Sequence, residues 1–207
     1  MTPDASAFIR ANLAPEPVPG LSDIRLFSAH PGSGLTRIAG ARTPYWAYAW
    51  PGGIALAHHF GAHPGSVAGK RVLDLGAGSG LVGIAAAKAG ARTVICSESD
   101  PAGRAAIALN SKMNGVIVEI ADDVTKAGVP DVDLVAAGDT FYDPGVAKRV
   151  LAYLRMSAAQ GVDVLIGDIG RRDLPMSELE PVAAYPAREF GDGPTAPPKQ
   201  AFIYRLA

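Results

Sequence analysis

The run Val72-Leu73-Asp74-Leu75-Gly76-Ala77-Gly78-Ser79-Gly80-Leu81 constrains this chain more than any other segment. Its first half is an apolar strand that ends in an acid, its second a glycine-rich turn, and a helical pattern begins at Leu81. Glycines at alternate positions let backbone N–H groups approach a ligand with no Cβ in the way. A dinucleotide fingerprint needs G-x-G-x-x-G, and Leu81 stands where its last glycine would be. Asp74, two residues before the first glycine, adds a carboxylate that would repel a pyrophosphate. The turn therefore suits a ligand with a cationic end better than NAD or a nucleoside triphosphate.

S-adenosylmethionine, which carries an ammonium and a sulfonium, is such a ligand. Glu98 closes the next strand-like run, Thr93-Val94-Ile95-Cys96-Ser97, 24 residues beyond Asp74. An acid roughly 20 residues on can accept hydrogen bonds from ribose hydroxyls. Asp100-Pro101 then reads as the N-cap and first position of a helix, which ends near the turn signal Asn114-Gly115.

From Arg71 onward strands and helices alternate. Strands are expected at 71–75, 93–98, 116–121, 132–138, 162–168, 181–190 and 200–206, and helices at 51–61, 80–90, 101–113, 144–158 and 175–180. Apolar runs such as Leu134-Val135-Ala136-Ala137 read as strands buried on both faces of a parallel sheet. Residues 1–43, rich in Pro, Ala and Gly, are expected to form a partly helical, partly mobile arm with one helix from Pro3 to Asn12. Residues 44–207 then form one α/β domain, a natural size for 207 residues that are 48% hydrophobic. Gly191 to Pro198 reads as a loop between the last two strands.

Composition narrows the functional classes. A net charge of −1 gives no pull toward nucleic acid. No apolar run reaches the ~18 residues of a membrane span, and Met1-Thr2-Pro3-Asp4 does not begin a secretory signal. One cysteine, Cys96, excludes an internal disulfide framework and suits a reducing cytoplasm; it reads as inert and buried. The histidines show no metal-ligand spacing, and no Gly-x-Ser-x-Gly elbow supports a hydrolase triad. A cytoplasmic monomer is expected.

Three further segments bear on chemistry. Pro44-Tyr45-Trp46-Ala47-Tyr48-Ala49-Trp50-Pro51 concentrates both tryptophans and two of the six tyrosines. Such density either plugs a core edge beneath the arm or lines a cleft, with Trp50 backing the cofactor and Trp46 or Tyr48 shaping a substrate channel. Gly138-Asp139-Thr140-Phe141-Tyr142-Asp143 follows the fourth strand, where ligands of open α/β sheets bind. Its aromatics could guide a lysine stem and its acid the lysine nitrogen; alternatively Asp139 caps the next helix and Phe141 packs beneath it. Finally, either acid of Asp122-Asp123 could meet an adenine amino group, with Asp122 preferred, whereas Asp168 and Arg171-Arg172 are expected to shape a turn.

The Asp-x-Gly-x-Gly-x-Gly pattern at Asp74 to Gly80 resembles motif I of the seven-stranded (class I) methyltransferases. With Trp50-Pro51 before motif I and the Asp-x-Phe-Tyr segment at Asp139 to Tyr142, the chain resembles the electron transfer flavoprotein β-subunit lysine methyltransferases and their bacterial relatives. The resemblance spans residues 40 to 160. It implies a doubly wound seven-stranded sheet, mostly parallel, with an antiparallel last strand beside the fifth. It also implies S-adenosylmethionine as donor, held by Trp50, Asp74, Gly76, Gly78, Gly80, Glu98 and Asp122. The expected product is S-adenosylhomocysteine. Trp46, Tyr48 and Phe141 would bind the substrate, and Asp139 and Tyr142 would act at the reacting amine. The implied partner is the flavoprotein β-subunit, or a ribosomal stalk protein. A small-molecule N-methyltransferase and a catalytically silent donor-binding module are the competing expectations.

Overall fold

The computed structural model describes residues 4–40, 43–188 and 199–206. Strands β3 (Arg71–Leu75), β4 (Thr93–Ser97), β5 (Glu119–Ala121), β6 (Leu134–Gly138), β7 (Asp163–Asp168), β8 (Leu179–Ala187) and β9 (Lys199–Leu206) form one sheet in the order β5-β4-β3-β6-β7-β9-β8. The first five are parallel; β9 runs antiparallel between β7 and β8. Strand order reverses at β3 and β6, and a crevice opens beyond their carboxyl ends, where such sheets bind ligands.

Alternate residues of the strands feed the two faces. Val72 and Leu134 pack with Ile54, Leu56 and Phe60 of α3 (Pro51–Ala62) and Ile84 of α4 (Leu81–Lys88), whereas Leu73 and Val135 face Val150 and Leu154 of α6 (Pro144–Ala159). Helix α5 (Pro101–Met113) starts as expected, with Asp100 accepting the Ala102 N–H at 2.9 Å and Pro101 at its first position. In α6, Asp143 takes that role for the N–H groups of Gly145 and Val146, at 2.9 and 3.0 Å.

Residues 4–40 hold more order than the sequence suggests. Helix α1 (Ala5–Asn12) matches the expected helix, but β1 (Ala14–Val18) and β2 (Leu21–Ser28) then form an antiparallel hairpin closed at Gly20, whose φ is 79°. Pro15 and Pro17 read as breakers, yet an outer strand tolerates proline because its N–H groups need no partner on one side. Val18, Ile24 and Leu26 are buried against α3 and α4, while Phe8 and Ile9 pack on α5 with Trp46. A short helix α2 (Thr36–Ala39) follows. The helix expected at 175–180 is instead a single 3-10 turn, Met176–Glu178, running into β8. The expected loop Gly191 to Pro198 lies outside the described residues. Among the described residues no helix is long and apolar enough to cross a membrane.

One contact fixes the site's floor. A Cβ on Gly52 would lie 2.0 Å from the Gly167 carbonyl oxygen, and one on Gly167 would lie 2.2 Å from that of Gly52. Only glycine pairs allow a helix start to sit this close to a strand. The amino end of α3 is thereby pressed onto the carboxyl ends of β6 and β7.

Candidate active site

A cavity of about 680 Å³ lies over the carboxyl ends of β3, β4 and β6, a size suited to a small-molecule ligand. Its wall takes Asp74 and the following turn from β3, Glu98 to Asp100 from β4, Asp139, Thr140 and Tyr142 from β6, and Tyr45, Tyr48 and Trp50 from the segment before α3.

The turn needs its glycines. Gly76, Gly78 and Gly80 have φ of 71°, 52° and 82°, a region side chains rarely enter. A Cβ on Gly78 would find nothing nearer than 3.8 Å, so this backbone lies open for a ligand's approach. Its N–H donates to Glu98 Oε2 at 2.8 Å, and the Asp100 N–H donates to Oε1, also at 2.8 Å. Glu98 thus braces the turn against the start of α5. Burial pushes its carboxyl upward, while both N–H donors pull it back.

Asp74 is 1% exposed. Its Oδ2 accepts the N–H of Gly83 at 2.8 Å in the first turn of α4, which Gly80 leaves without a side-chain cap. The strand-end acid therefore caps the helix from outside it. Burial pushes its pKa up to about 7, Gly83 pulling it down and Glu98 adding to the rise. A cationic ligand is the partner that would restore its charge.

Asp139 repeats the device on the other side. Its Oδ2 accepts the Gly53 N–H at 3.0 Å in the first turn of α3, whose N-cap Trp50 provides no side-chain bond. Its Oδ1 accepts from Arg171 Nη2 at 3.1 Å. With φ of 54° it is the one non-glycine residue in the left-handed region among the described residues. Strain of this kind gathers at functional sites. Burial pushes its pKa up to about 6, against the pull of Arg171 and Gly53. The alternative expectation, that Asp139 caps the helix after it, fails: Asp143 caps α6, and Asp139 caps α3.

The aromatic residues divide. Tyr142, 43% exposed, and Tyr45, 39% exposed, meet with ring centroids 4.7 Å apart at the cavity mouth. Trp50 continues the row, 5.8 Å from Tyr45 and 5.8 Å from Tyr48, and its Nε1 donates to the Tyr45 carbonyl. Phe141 departs from the expectation of substrate contact, whereas Trp46 belongs to the cavity wall but is only 2% exposed. The Trp46 side chain is buried with Phe8, Ile9 and Leu109, a plug beneath the arm. Phe141 is buried among Leu75, Ala147 and Val150 under α6 and does not reach the cavity wall.

Asp122, preferred for the adenine, turns outward to Arg104 at 3.1 Å, with its side chain 72% exposed. Asp123 instead lines the cavity. Its Oδ1 accepts from the Thr125 N–H and hydroxyl. Asp168 behaves as expected: its Oδ1 accepts the N–H groups of Gly170 and Arg171 and closes a turn. Cys96 is fully buried. Tyr45 and Arg171 belong to the wall although the sequence does not mark them for it, and of the two adenine candidates it is Asp123, not the preferred Asp122, that lies there. Tyr45 lies beside Trp46, which is the signal available for it; Arg171 reads only as part of a turn. Five acids (Asp74, Glu98, Asp100, Asp123, Asp139) face two arginines (Arg149, Arg171) on the wall, a balance that fits a cationic donor.

Comparison with known proteins agrees. The family model described as ribosomal protein L11 methyltransferase (PrmA) matches residues 65–138. The electron transfer flavoprotein beta subunit lysine methyltransferase of Rattus norvegicus is 40% identical over 131 residues, covering 62% of this chain and 51% of that protein. The Xenopus laevis protein of the same name is 38% identical over 149 residues, covering 69% and 61%. A Xenopus laevis histone-arginine methyltransferase, METTL23, is 31% identical over 121 residues, covering 54% and 51%. The chain thus spans about half the length of the curated relatives it matches. Among solved structures, the magnesium protoporphyrin IX methyltransferase of Synechocystis with bound S-adenosylhomocysteine shares the fold at a TM-score of 0.52 and 13% identity, over 73% of this chain and 80% of that one. The Pyrococcus abyssi tRNA (uracil-54, C5)-methyltransferase in complex with S-adenosylhomocysteine aligns at 0.52 and 18%, over 73% and 38%.

Proposed function

We propose that this chain, which has the class I methyltransferase fold and resembles the electron transfer flavoprotein β-subunit lysine methyltransferases, moves a methyl group from S-adenosylmethionine to a lysine side chain of a protein. The supporting observation is that two buried acids, Asp74 below the glycine turn and Asp139 below the aromatic row, open onto one cavity. One suits a cationic donor, the other an amine acceptor.

When bound, the donor supplies an electrophilic methyl on a sulfonium. The chain's own task is to orient an amine against it, and proximity alone is worth ~7–11 kcal/mol. Gly76 and Gly78 let the donor approach the backbone, Glu98 and Asp123 take its hydroxyl and amino groups, and Asp74 its positive end. Tyr142, Tyr45 and Trp50 guide the lysine stem. Asp139 accepts a hydrogen bond from the lysine nitrogen. A free lysine has a pKa near ~10.4 and attacks only when neutral. Burial among these rings lowers that value, and the proton departs to water through the open mouth. The flavoprotein β-subunit is the favoured target; the protein acts as a monomer on protein rather than nucleic acid.

The test is incubation with labelled S-adenosylmethionine and purified electron transfer flavoprotein, followed by mass spectrometry of the labelled residue. Label on a lysine is expected. Label on an arginine or on a small molecule, or donor binding without transfer, would refute the lysine assignment.

A further inference from the structure

Asp139 and Asp168 end neighbouring strands, and one guanidinium lies between them. Arg171 Nη2 donates to Asp139 Oδ1 at 3.1 Å, and its Nε lies 4.0 Å from Asp168 Oδ2. The Arg171 N–H also donates to Asp168 Oδ1 at 2.7 Å, in a turn that Gly170 completes with φ of 88°. The backbone of Arg171 is thus hydrogen-bonded to an acid that is fully buried, and its guanidinium lies at ion-pair distance from the same carboxylate. The two carboxylates differ in access. Asp139 faces the cavity, whereas Asp168 is absent from its wall.

We propose that Arg171 is the positioning residue of this site: anchored by Asp168, its guanidinium holds the Asp139 carboxylate in place to receive the substrate amine. The assignment rests on the lysine reading above. Asp139 is a buried acid that its surroundings tend to protonate, and a protonated acid would attract no ammonium. Arg171 opposes that tendency, while Asp168, as a second negative charge, adds to it. Gly53 donates to Asp139 from α3, and Asp74, Glu98, Tyr142 and Arg149 share the cavity wall. A guanidinium suits this place because it hydrogen-bonds Asp139 while lying at ion-pair distance from Asp168, and it does not lose its proton.

The test is a ¹³C NMR titration of the Asp139 carboxyl carbon, assigned by its loss in Asp139→Asn, in the wild type, Arg171→Met and Asp168→Asn. The wild-type midpoint is expected at about 6. In Arg171→Met it should rise by about one to three pH units; in Asp168→Asn, whose amide oxygen still accepts the Arg171 N–H and keeps the turn, loss of one negative charge should lower it. Opposite displacements would not follow from general loosening, and if Arg171→Met fails to fold, Arg171→Lys, which keeps the charge but loses the planar fork, should still raise the midpoint, by less. With the flavoprotein substrate, the acid limb of kcat/KM should follow the midpoint while S-adenosylhomocysteine affinity stays constant. An unmoved midpoint in Arg171→Met, or displacement in the same direction in both variants, overturns the assignment. Absence of lysine methylation by the wild type would refute the functional reading alone, and the midpoints would still decide the clamp.

Discussion

A carboxylate sealed from water is a poor place for charge unless something positive arrives, and Asp74 is built on that tension. Its oxygen is engaged by one N–H of α4, and burial raises its pKa to about 7, so that it is about half protonated at neutral pH. Binding a cationic donor at pH 7 should therefore release up to about half a proton per molecule, and the calorimetric heat should vary with the ionisation enthalpy of the buffer. Asp74→Asn should fold nearly as well as the wild type, since an amide oxygen still accepts from Gly83 and no buried charge needs compensation. Its donor affinity should fall by about tenfold or more, the loss of one charge-assisted contact. Full affinity in Asp74→Asn would remove the acid from the donor site. Tyr142 is a different case: its half-exposed ring leaves the core intact when removed. Tyr142→Ala should raise KM for a protein substrate severalfold at unchanged S-adenosylhomocysteine affinity. Loss of donor binding instead would move Tyr142 to the other half of the cavity.

At the scale of elements, α3 and α4 begin without caps of their own and are completed by Asp139 and Asp74 from the ends of β6 and β3. Helix α3 depends further on the contact between Gly52 and Gly167, with no room for a methyl group. Gly52→Ala should cost about 3 kcal/mol or more, since strand backbone cannot yield as a side-chain tip can; urea unfolding would measure it, and a loss below about 1 kcal/mol would refute the close approach. The alternation of strands and helices was readable because apolar runs, Asp-Pro starts and glycine turns are local signals. The device that builds the site was not, because Asp74, Gly83, Asp139 and Gly53 become neighbours only when the sheet assembles. The same limit explains the hairpin of β1 and β2: its prolines masked the alternation of Ile24 and Leu26, and only the packing against α3 and α4 gives that alternation meaning. Trp46 and Phe141 show the converse, as sequence locates a dense aromatic run without saying which rings face inward.

For the whole molecule these buried acids set how stability depends on pH. Asp74 and Asp139 have folded pKa values of about 7 and about 6, above the ordinary value of 3.8. Glu98 and Asp168 are raised as well, by burial first. A raised acid binds more protons folded than unfolded, so stability falls as pH rises from the unfolded to the folded value. Asp133 works in the opposite sense. The Arg71 guanidinium grips it at 2.7 Å and holds its carboxyl below the usual range, so its contribution is lost as pH falls below about 4. Burial lowers the pKa values of His58 and His59, so their protonation costs stability as pH falls below about 6.5; the raised acids outweigh them and place the stability maximum of the ligand-free protein below pH 7, with a decline on the order of a few kcal/mol toward pH 7.5. The donor should reverse the trend, because it binds the ionised form of Asp74 and stabilises the fold more at pH 7.5 than at pH 5. Thermal melts across this range, with and without S-adenosylmethionine, measure both slopes. A ligand-free optimum at pH 7 or above would show that Asp74 and Asp139 are charged without help, and the electrostatic case for a cationic donor would fall with it.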